Sequence, residues 1–415
     1  MARLRHATFS SSSIGYRVLL IALGVLVING LLSARYMDQA GHWVTGMSNQ
    51  VVWGVPHIFA IFLIVTASGV LNIASLSSVF ERDVYKGEAY TAWARLSALL
   101  AITLLLGGVL ILVLDLGRPE RLIVAMTHYN FKSVFAWNVF LYTGFVLIAV
   151  VYLWMMFEQH MHRFVRSAGI AAFAWRILLT AGSGAIFGFL VARQAYDMAI
   201  MVPLFIAMSL SFGSAFFVLI LAWLHQHADS KQKMAKQKIE LLTRLRLLLG
   251  NFVIAVLFIT ALYHLTKLYA TELHDFEKFI LIDGGIYPAM FWFGQVLIGS
   301  VVPLLLLFWR SKISGKISTE ISMRRLVSAS AMVIVGGFAQ LYVLIIGGQA
   351  YPLEMFPGME VSSGFFDGEI ASYTPSFPEF ALGFGGIAFA LLLTILALRV
   401  LPFLPSEDQL SGNQT

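Results

Sequence analysis

Apolar residues in this chain are gathered into ten blocks separated by shorter polar segments. Each block is close to the ~20 residues that an α-helix needs to cross the hydrocarbon core of a bilayer. The pattern predicts an all-α, polytopic membrane protein with ten transmembrane helices. The first block is too long for the apolar part of a cleaved signal peptide, so we expect it to span the membrane too. The predicted spans are residues 15–32, 51–79, 97–114, 133–157, 168–192, 199–224, 247–269, 286–308, 326–347 and 380–400.

The composition supports this interpretation and narrows the possible functions. Of the 415 residues, 59% are hydrophobic and 12% are charged, which is about half the charged share of a soluble protein. This balance excludes a water-soluble enzyme, a disordered chain and a DNA-binding module. The sequence has no cysteine, which excludes an iron–sulfur cluster or a thiolate metal site built from its own residues.

The distribution of Lys and Arg predicts the orientation in the membrane. Ten spans place both termini on one side, and only seven of the 28 basic residues fall on the opposite side. The positive-inside rule then predicts that both termini lie in the cytoplasm, with the chain in a bacterial inner membrane. The net charge of +6 is thus expected from topology and from contact with anionic membrane lipid, not from nucleic-acid binding.

Residues 349–379 form the longest predicted periplasmic loop. The segment is rich in Pro, Gly and aromatic residues, which is unusual for a solvated linker. We expect it to fold over the outer helix ends or over a partner subunit.

Polar residues inside or beside the spans are the candidates for function, because each is costly in a bilayer. In the predicted topology they concentrate in the outer half of the membrane. This one-sided polarity predicts a binding site near the outer face and does not fit a solute pore, which needs a polar lining throughout. The candidates are His57, Asp115, Arg118, Trp137, Asn138, Tyr142, Tyr263, His264, Lys267, Gln295 and Glu379.

Each candidate taken alone also has a purely structural explanation. A histidine can bond a neighbouring carbonyl, an amide can join two helices, and a tyrosine can belong to the interfacial aromatic belt. Lys267 can extend its ammonium group to the surface, and Asp115 can pair with Arg118 in a turn. The occurrence of all these groups at a similar depth favours a shared site.

His57 and His264 lie at matching depth on different spans, as bis-histidine haem ligands do. The other eight histidines lie in loops or tails, whereas two-haem membrane cytochromes usually use four. We therefore expect no haem.

Two short segments indicate an internal repeat. Residues 135–138 (Phe-Ala-Trp-Asn) resemble residues 291–295 (Phe-Trp-Phe-Gly-Gln), each an aromatic pair followed by an amide. The two spans are four helices apart and keep the same orientation, which indicates a parallel duplication of a four-helix unit.

Several motifs resemble the NrfD/PsrC family of membrane subunits. They are Trp53-Gly54, Asp115-Leu-Gly-Arg-Pro119-Glu-Arg121, Trp137-Asn138, Phe291-Trp292 and Arg399-Val-Leu-Pro402-Phe-Leu-Pro405. The segment 348–358 is most similar to the DsrP branch, whose members are subunits of the DsrMKJOP complex of dissimilatory sulfur metabolism.

The resemblance implies two four-helix bundles with flanking helices and a quinone site near the outer face. It also implies a periplasmic ferredoxin-like iron–sulfur subunit as partner, further membrane and cytochrome subunits, and no haem or iron–sulfur cluster on this chain. Asn138 and Gln295 stand where some relatives carry carboxylates tied to proton handling. Because amides do not take up protons, coupled pumping through these two positions is not expected.

Quinol oxidation needs partners for two oxygen atoms and a route for two protons. A histidine can bond one oxygen and accept its proton, while a tyrosine or an amide bonds the other. The expected residues for binding menaquinone or ubiquinone are His57, Trp137, Asn138, Tyr142, Tyr263, His264 and Gln295. The expected proton path is Asp115, Arg118, Lys267 and Glu379.

Two other functions stay open at this point. A secondary transporter would have helices broken near mid-membrane and an ionisable residue there. A non-catalytic membrane anchor would use its outer polar cluster only to dock a partner.

Overall fold

The computed structural model of the chain describes residues 6–11, 13–78, 88–227, 236–309, 319–353 and 369–405. Within these residues it contains ten helices that are long and apolar enough to span a membrane, which confirms the predicted number. The helices are α1 (Ile14–Ala40), α2 (Val55–Ser75), α3 (Trp93–Leu114), α4 (Val134–Phe157), α5 (Gln159–Gly188), α6 (Met201–His227), α7 (Arg244–Tyr269), α8 (Ile286–Phe308), α9 (Met323–Ala350) and α10 (Phe377–Val400).

The helices form two bundles of four. Helices α2 to α5 contact one another in the first bundle, and α6 to α9 do so in the second. The bundles meet mainly where α2 packs on α6, while α1 packs on α10 and α10 lies against α2 and α3. This arrangement agrees with the architecture that the family resemblance implies, and α2 and α6 occupy equivalent places in the two halves of the proposed repeat.

Several helix ends differ from the predicted ones for local reasons. Helix α1 continues to Ala40, where Gly41 with φ of 91° ends it, because glycine adopts this conformation without strain. Helix α10 begins at Phe377, before the apolar run, because the Glu379 side chain caps its first turn by accepting from the backbone N–H of Ser376 at 2.7 Å.

Two of the three π-helical stretches among the described residues lie within spans of the second bundle; the third is the connecting segment Phe279–Asp283. The two within spans cover Met290–Val301 in α8 and Val343–Gly347 in α9. Such stretches are rare and often lie at functional sites. Both helices stay continuous through them, so neither shows the break that a transporter of this type would have.

Small residues allow the helices to approach closely. A Cβ atom added to Gly69 of α2 would lie 1.7 Å from the carbonyl oxygen of Ser209 in α6. Gly184 of α5 similarly faces the carbonyl oxygen of Met201, since a Cβ there would lie 2.7 Å from it. The glycine spacing in α5 therefore reflects close packing.

The shorter elements lie at the helix ends. Two-residue strands at His6–Ala7 and Leu404–Pro405 pair in antiparallel fashion, so both ends of the described chain lie on the same face of the molecule. The short helical segments between spans are His42–Val44, Pro119–Arg121, Leu122–Thr127, Thr271–Leu273, His274–Lys278 and Phe279–Asp283.

Candidate functional site

A cavity of about 620 Å³ lies in the first bundle. Its walls are mostly apolar side chains from α2, α3, α4 and α5, and its polar groups are few. Cavities of this size and character are typical of sites for small organic ligands. The polar and aromatic lining residues are His42, Trp53, His57, Asp115, Phe135, Asn138, Tyr142, Thr143 and Phe187.

A close polar contact between two helices forms the polar end of this cavity. His57 lies in the first turn of α2, after Pro56 has started the helix, and Asp115 directly follows the last residue of α3. Nδ1 of His57 is 3.1 Å from Oδ2 of Asp115, and the side chains are 25% and 2% exposed. A negative charge at a helix C-terminus is electrostatically unfavourable, so a polar partner beside Asp115 is stabilising.

The pair retains unused bonding capacity. Neither carboxylate oxygen of Asp115 accepts a well-aligned hydrogen bond within the residues that the structure describes. The short distance to His57 therefore marks a close polar contact in which the ring is not turned for a straight hydrogen bond. A ligand that orients this ring would strengthen the contact.

Asn138 supplies an acceptor to the same cavity. Its Nδ2 donates to the carbonyl oxygens of Val134 (2.9 Å) and Gly182 (3.2 Å), which fixes the amide against α5. Its Oδ1 is buried and has no donor among the described residues. Because a buried unbonded acceptor costs free energy, this oxygen would gain from a donor that reaches it.

Trp53 forms the aromatic wall of the cavity. Its ring centroid lies 6.3 Å from that of His57 and 5.8 Å from that of Phe135. We expected Trp137 in this role, but Trp137 is 51% exposed and donates its indole N–H to the carbonyl of Phe131 at 2.8 Å. Trp137 does not line the cavity.

A buried amide holds Trp53 in place. Oε1 of Gln349, at the end of α9, accepts from the backbone N–H groups of Val52 and Trp53, each at 3.0 Å. Arg193 in turn donates to the backbone oxygens of Gln349 (2.8 Å) and Gln50 (2.7 Å). Burial lowers the pKa of the Arg193 guanidinium, a group that nevertheless stays charged in proteins. The second bundle thus supports one wall of the first.

The remaining candidates form a separate cluster in the second bundle. Tyr263, His264 and Gln295 line a cavity of about 30 Å³, which holds one or two waters and is too small for a ring. Nδ1 of His264 is 2.7 Å from Oε2 of Glu277, a fully buried carboxylate. His57 and His264 line different cavities, so they do not face a common haem iron.

Of the four residues expected on the proton path, only Asp115 lines the large cavity. Arg118 is exposed at the surface. Lys267 is buried in the second bundle instead of reaching the surface, and it donates to the carbonyl of Gln194. Its ammonium group also lies 5.2 Å from the ring centroid of Tyr263.

Glu379 is also fully buried and its oxygens are occupied. It accepts from the Tyr373 hydroxyl (2.6 Å) and from the backbone N–H groups of Gly46 (2.8 Å) and Ser376 (2.7 Å). Burial, together with the bond to Glu379, raises the pKa of Tyr373, so its hydroxyl stays protonated and also accepts from the N–H of Val55. The described end of the long loop thus packs over the start of α2; residues 354–368 of that loop lie outside the described residues.

Three polar residues with well-defined contacts were not among the candidates predicted from the sequence. His42 lies between α1 and α2, and its Nε2 is 3.0 Å from the carbonyl oxygen of Asp115. Glu277 lies in a segment between spans, where hydropathy does not indicate burial. Arg176 lies inside α5, is buried, and donates to Oδ1 of Asn72 at 2.8 Å; its position inside a predicted span was the available signal.

Comparison with known proteins identifies the family of this chain. The model of the family described as polysulphide reductase, NrfD, matches residues 43–352, which is most of the chain. The chain belongs to the NrfD family. All residues that line the two cavities fall within the matched segment, except His42, which immediately precedes it.

Several relatives of this NrfD-family chain are subunits of redox enzymes. It is 28% identical over 399 residues to the Hdr-like menaquinol oxidoreductase integral membrane subunit of Archaeoglobus fulgidus, covering 95% of each chain. It is 20% identical over 427 residues to a subunit of the selenate reductase of Mesobacillus selenatarsenatis, covering 93% of this chain and 94% of the relative. Protein NrfD of Escherichia coli is 26% identical over 299 residues, covering 64% of this chain and 87% of the relative.

Proposed function

We propose that this NrfD-family chain is the quinone-interacting membrane subunit of a respiratory redox complex. In this role it exchanges electrons between the membrane quinone pool and a periplasmic iron–sulfur subunit. The observation that carries the proposal is the 620 Å³ cavity of the first bundle. There, His57, Asp115 and Asn138 line an otherwise apolar slot.

The cavity residues match the chemistry of quinol oxidation. Oxidation releases two protons and two electrons, so a base must face a hydroxyl group of the quinol. His57 is suited to accept that proton, because Asp115 at 3.1 Å stabilises the resulting imidazolium. The free Oδ1 of Asn138 accepts a hydrogen bond from a hydroxyl group, and Trp53 offers a flat surface for the ring.

Electrons have to leave the chain through a partner. The sequence contains no cysteine, so the chain cannot build an iron–sulfur cluster of its own. A relative is named as a menaquinol oxidoreductase membrane subunit and another as a subunit of selenate reductase. Both names support a redox complex in which another subunit accepts or donates the electrons.

A more specific proposal concerns the metabolic pathway in which the complex works and its partner subunits. The similarity of residues 348–358 to the DsrP branch supports a role in dissimilatory sulfur metabolism. The partners would then be a ferredoxin-like iron–sulfur subunit and the membrane and cytochrome subunits of a DsrMKJOP-like complex. Purification of the intact complex with its subunits identified by mass spectrometry tests this assignment.

We expect the purified complex to contain bound quinone in the first bundle. Val139 lines the cavity, so Val139→Trp should fill it and lower the quinone content at least about tenfold, a loss of about 1.4 kcal/mol or more. Val150→Trp is the matched control, since Val150 lies in the same helix with an exposed side chain. Extraction of quinone and its quantification by chromatography gives the readout. Equal quinone content in the two variants would argue against this cavity as the site.

The proposal places the cavity near the periplasm, with both termini in the cytoplasm. Because the chain has no cysteine, single-cysteine variants report topology without background. Lys236→Cys and Lys316→Cys should react with a membrane-impermeant reagent only after the cytoplasmic face is opened. Lys278→Cys and Glu360→Cys should react in intact cells. Labelling of Lys236→Cys from outside would reverse the orientation and the proposed direction of proton release.

A further inference from the structure

We propose that His42 is the outlet through which protons leave the first cavity. The proposal rests on the quinone function proposed above and assigns the last step of proton release to one side chain. His42 lies outside every span, and the polar residues of the predicted site did not include it. His42 and Asp115 are 73 positions apart in the sequence, and the fold brings them into contact.

The geometry joins three side chains in a row. His57 and His42 approach different oxygens of the same carboxylate: Nδ1 of His57 is 3.1 Å from Oδ2 of Asp115, and Nε2 of His42 is 3.9 Å from Oδ1. The carboxylate is 2% exposed and the His42 side chain is 31% exposed. The row therefore leads from His57 through a buried carboxylate to a partly exposed histidine that lies between spans. Both histidines line the cavity.

Local structure holds His42 in this place. Gly41, with its positive φ of 91°, ends α1 and turns the chain back over the end of α3. His42 then begins a single helical turn that ends at Val44. Nε2 of its ring is 3.0 Å from the backbone oxygen of Asp115, and the Thr45 hydroxyl donates to the backbone oxygen of His42 at 2.6 Å.

Each transfer moves one proton. His57 accepts a proton from a quinol hydroxyl at Nε2 and passes the proton on Nδ1 to Oδ2 of Asp115. The carboxyl group then gives a proton from Oδ1 to Nε2 of His42; a small rotation or one bridging water spans the 3.9 Å. The two electrons would leave separately to the iron–sulfur centre of the proposed partner subunit.

The backbone carbonyl of Asp115 assists the last transfer. It accepts a hydrogen bond from the newly protonated Nε2 of His42, which stabilises the imidazolium. The imidazolium then turns toward the outer water and releases the proton from Nε2, which leaves the hydrogen on Nδ1 and Nε2 free to accept again. A partly exposed side chain has the freedom to make this turn.

The other ionisable residues near the outer face are less suited to this step. Arg118 is exposed but its guanidinium does not release protons at physiological pH. Glu379 accepts three hydrogen bonds inside the protein and does not line the cavity. Lys267 belongs to the second bundle. Among the described cavity-lining residues that lie outside the spans, His42 combines contact with Asp115, exposure and the ability to exchange protons.

The test measures oxidation of a water-soluble naphthoquinol by the purified complex with an artificial electron acceptor. His42→Ala should lower turnover at least about tenfold, and added imidazole should restore much of it by occupying the space of the lost ring. His42→Gln can still donate to the Asp115 carbonyl but cannot carry a proton, so it should stay slow without imidazole rescue. His128→Ala, an exposed histidine of the α3–α4 connection, should show wild-type turnover and no response to imidazole.

The outcomes separate this inference from the function on which it rests. Wild-type turnover in His42→Gln would contradict the proposal that His42 is the proton outlet. A slow His42→Ala enzyme that has lost its quinone and does not respond to imidazole also overturns it, because the ring would then be only structural. If His57→Ala retains full turnover, the proposed quinone site itself fails.

Discussion

Replacement of His57 by alanine is expected to slow quinol-dependent electron transfer about ten- to a hundredfold while the complex still assembles. The loss corresponds to about 1–3 kcal/mol, the usual effect of removing one hydrogen-bonding partner at such a site. Asp115→Asn should act in the same direction, because the amide cannot stabilise the His57 imidazolium at the 3.1 Å contact. Turnover per assembled complex, measured at saturating quinol, gives the result.

His264→Ala is the matched comparison, since both histidines were expected to bind quinone. His264 contacts the fully buried carboxylate of Glu277 at 2.7 Å and lines a cavity too small for a ring. Its removal leaves a buried carboxyl group without this hydrogen-bonding partner, which should cost about 1–3 kcal/mol of stability. We therefore expect less assembled complex, with unchanged turnover in what remains. Loss of turnover in His264→Ala with normal assembly would contradict the separation of the two clusters.

The amino-acid sequence was sufficient to predict the helices because the membrane imposes a simple rule. A span needs about 20 apolar residues, and this requirement is visible without any knowledge of packing. The ends were less predictable, since they depend on caps. The start of α10 is fixed by the Glu379 cap on the backbone of Ser376 and the end of α1 by Gly41, both of which lie outside the apolar runs.

The site was only partly predictable from the sequence. Hydropathy indicates how deep a residue lies in the membrane but not which neighbouring helices surround its side chain. His57 and His264 were placed at one depth, yet they lie in different bundles. Helix α2 is buried on all sides, so its sequence has no polar face to indicate which neighbours surround His57. His42 and Glu277 lie between spans, where the sequence pattern assigns neither depth nor burial. The contacts that join them to the spans link residues distant in the sequence.

Gly69→Ala is expected to weaken the contact between the two bundles and to destabilise the whole chain. A methyl group at this position would lie 1.7 Å from the carbonyl oxygen of Ser209, an atom of the backbone that cannot rotate away. Helices α2 and α6 would have to separate, and in a membrane their association depends on such close packing. The cost should reach the upper part of the range for overpacked sites, about 3 kcal/mol.

Gly24→Ala in α1 provides the control, because a Cβ atom there meets no heavy atom within 4 Å among the described residues. This change should be neutral or slightly stabilising, since alanine favours a helix over glycine by up to about 1 kcal/mol. Thermal unfolding of the two purified variants in detergent distinguishes them, with a lowered Tm expected only for Gly69→Ala. Because the cavity wall at Trp53 is held by Gln349 of the second bundle, Gly69→Ala should also lower the bound quinone. Equal Tm values would mean that α2 and α6 are not in such close contact in the membrane.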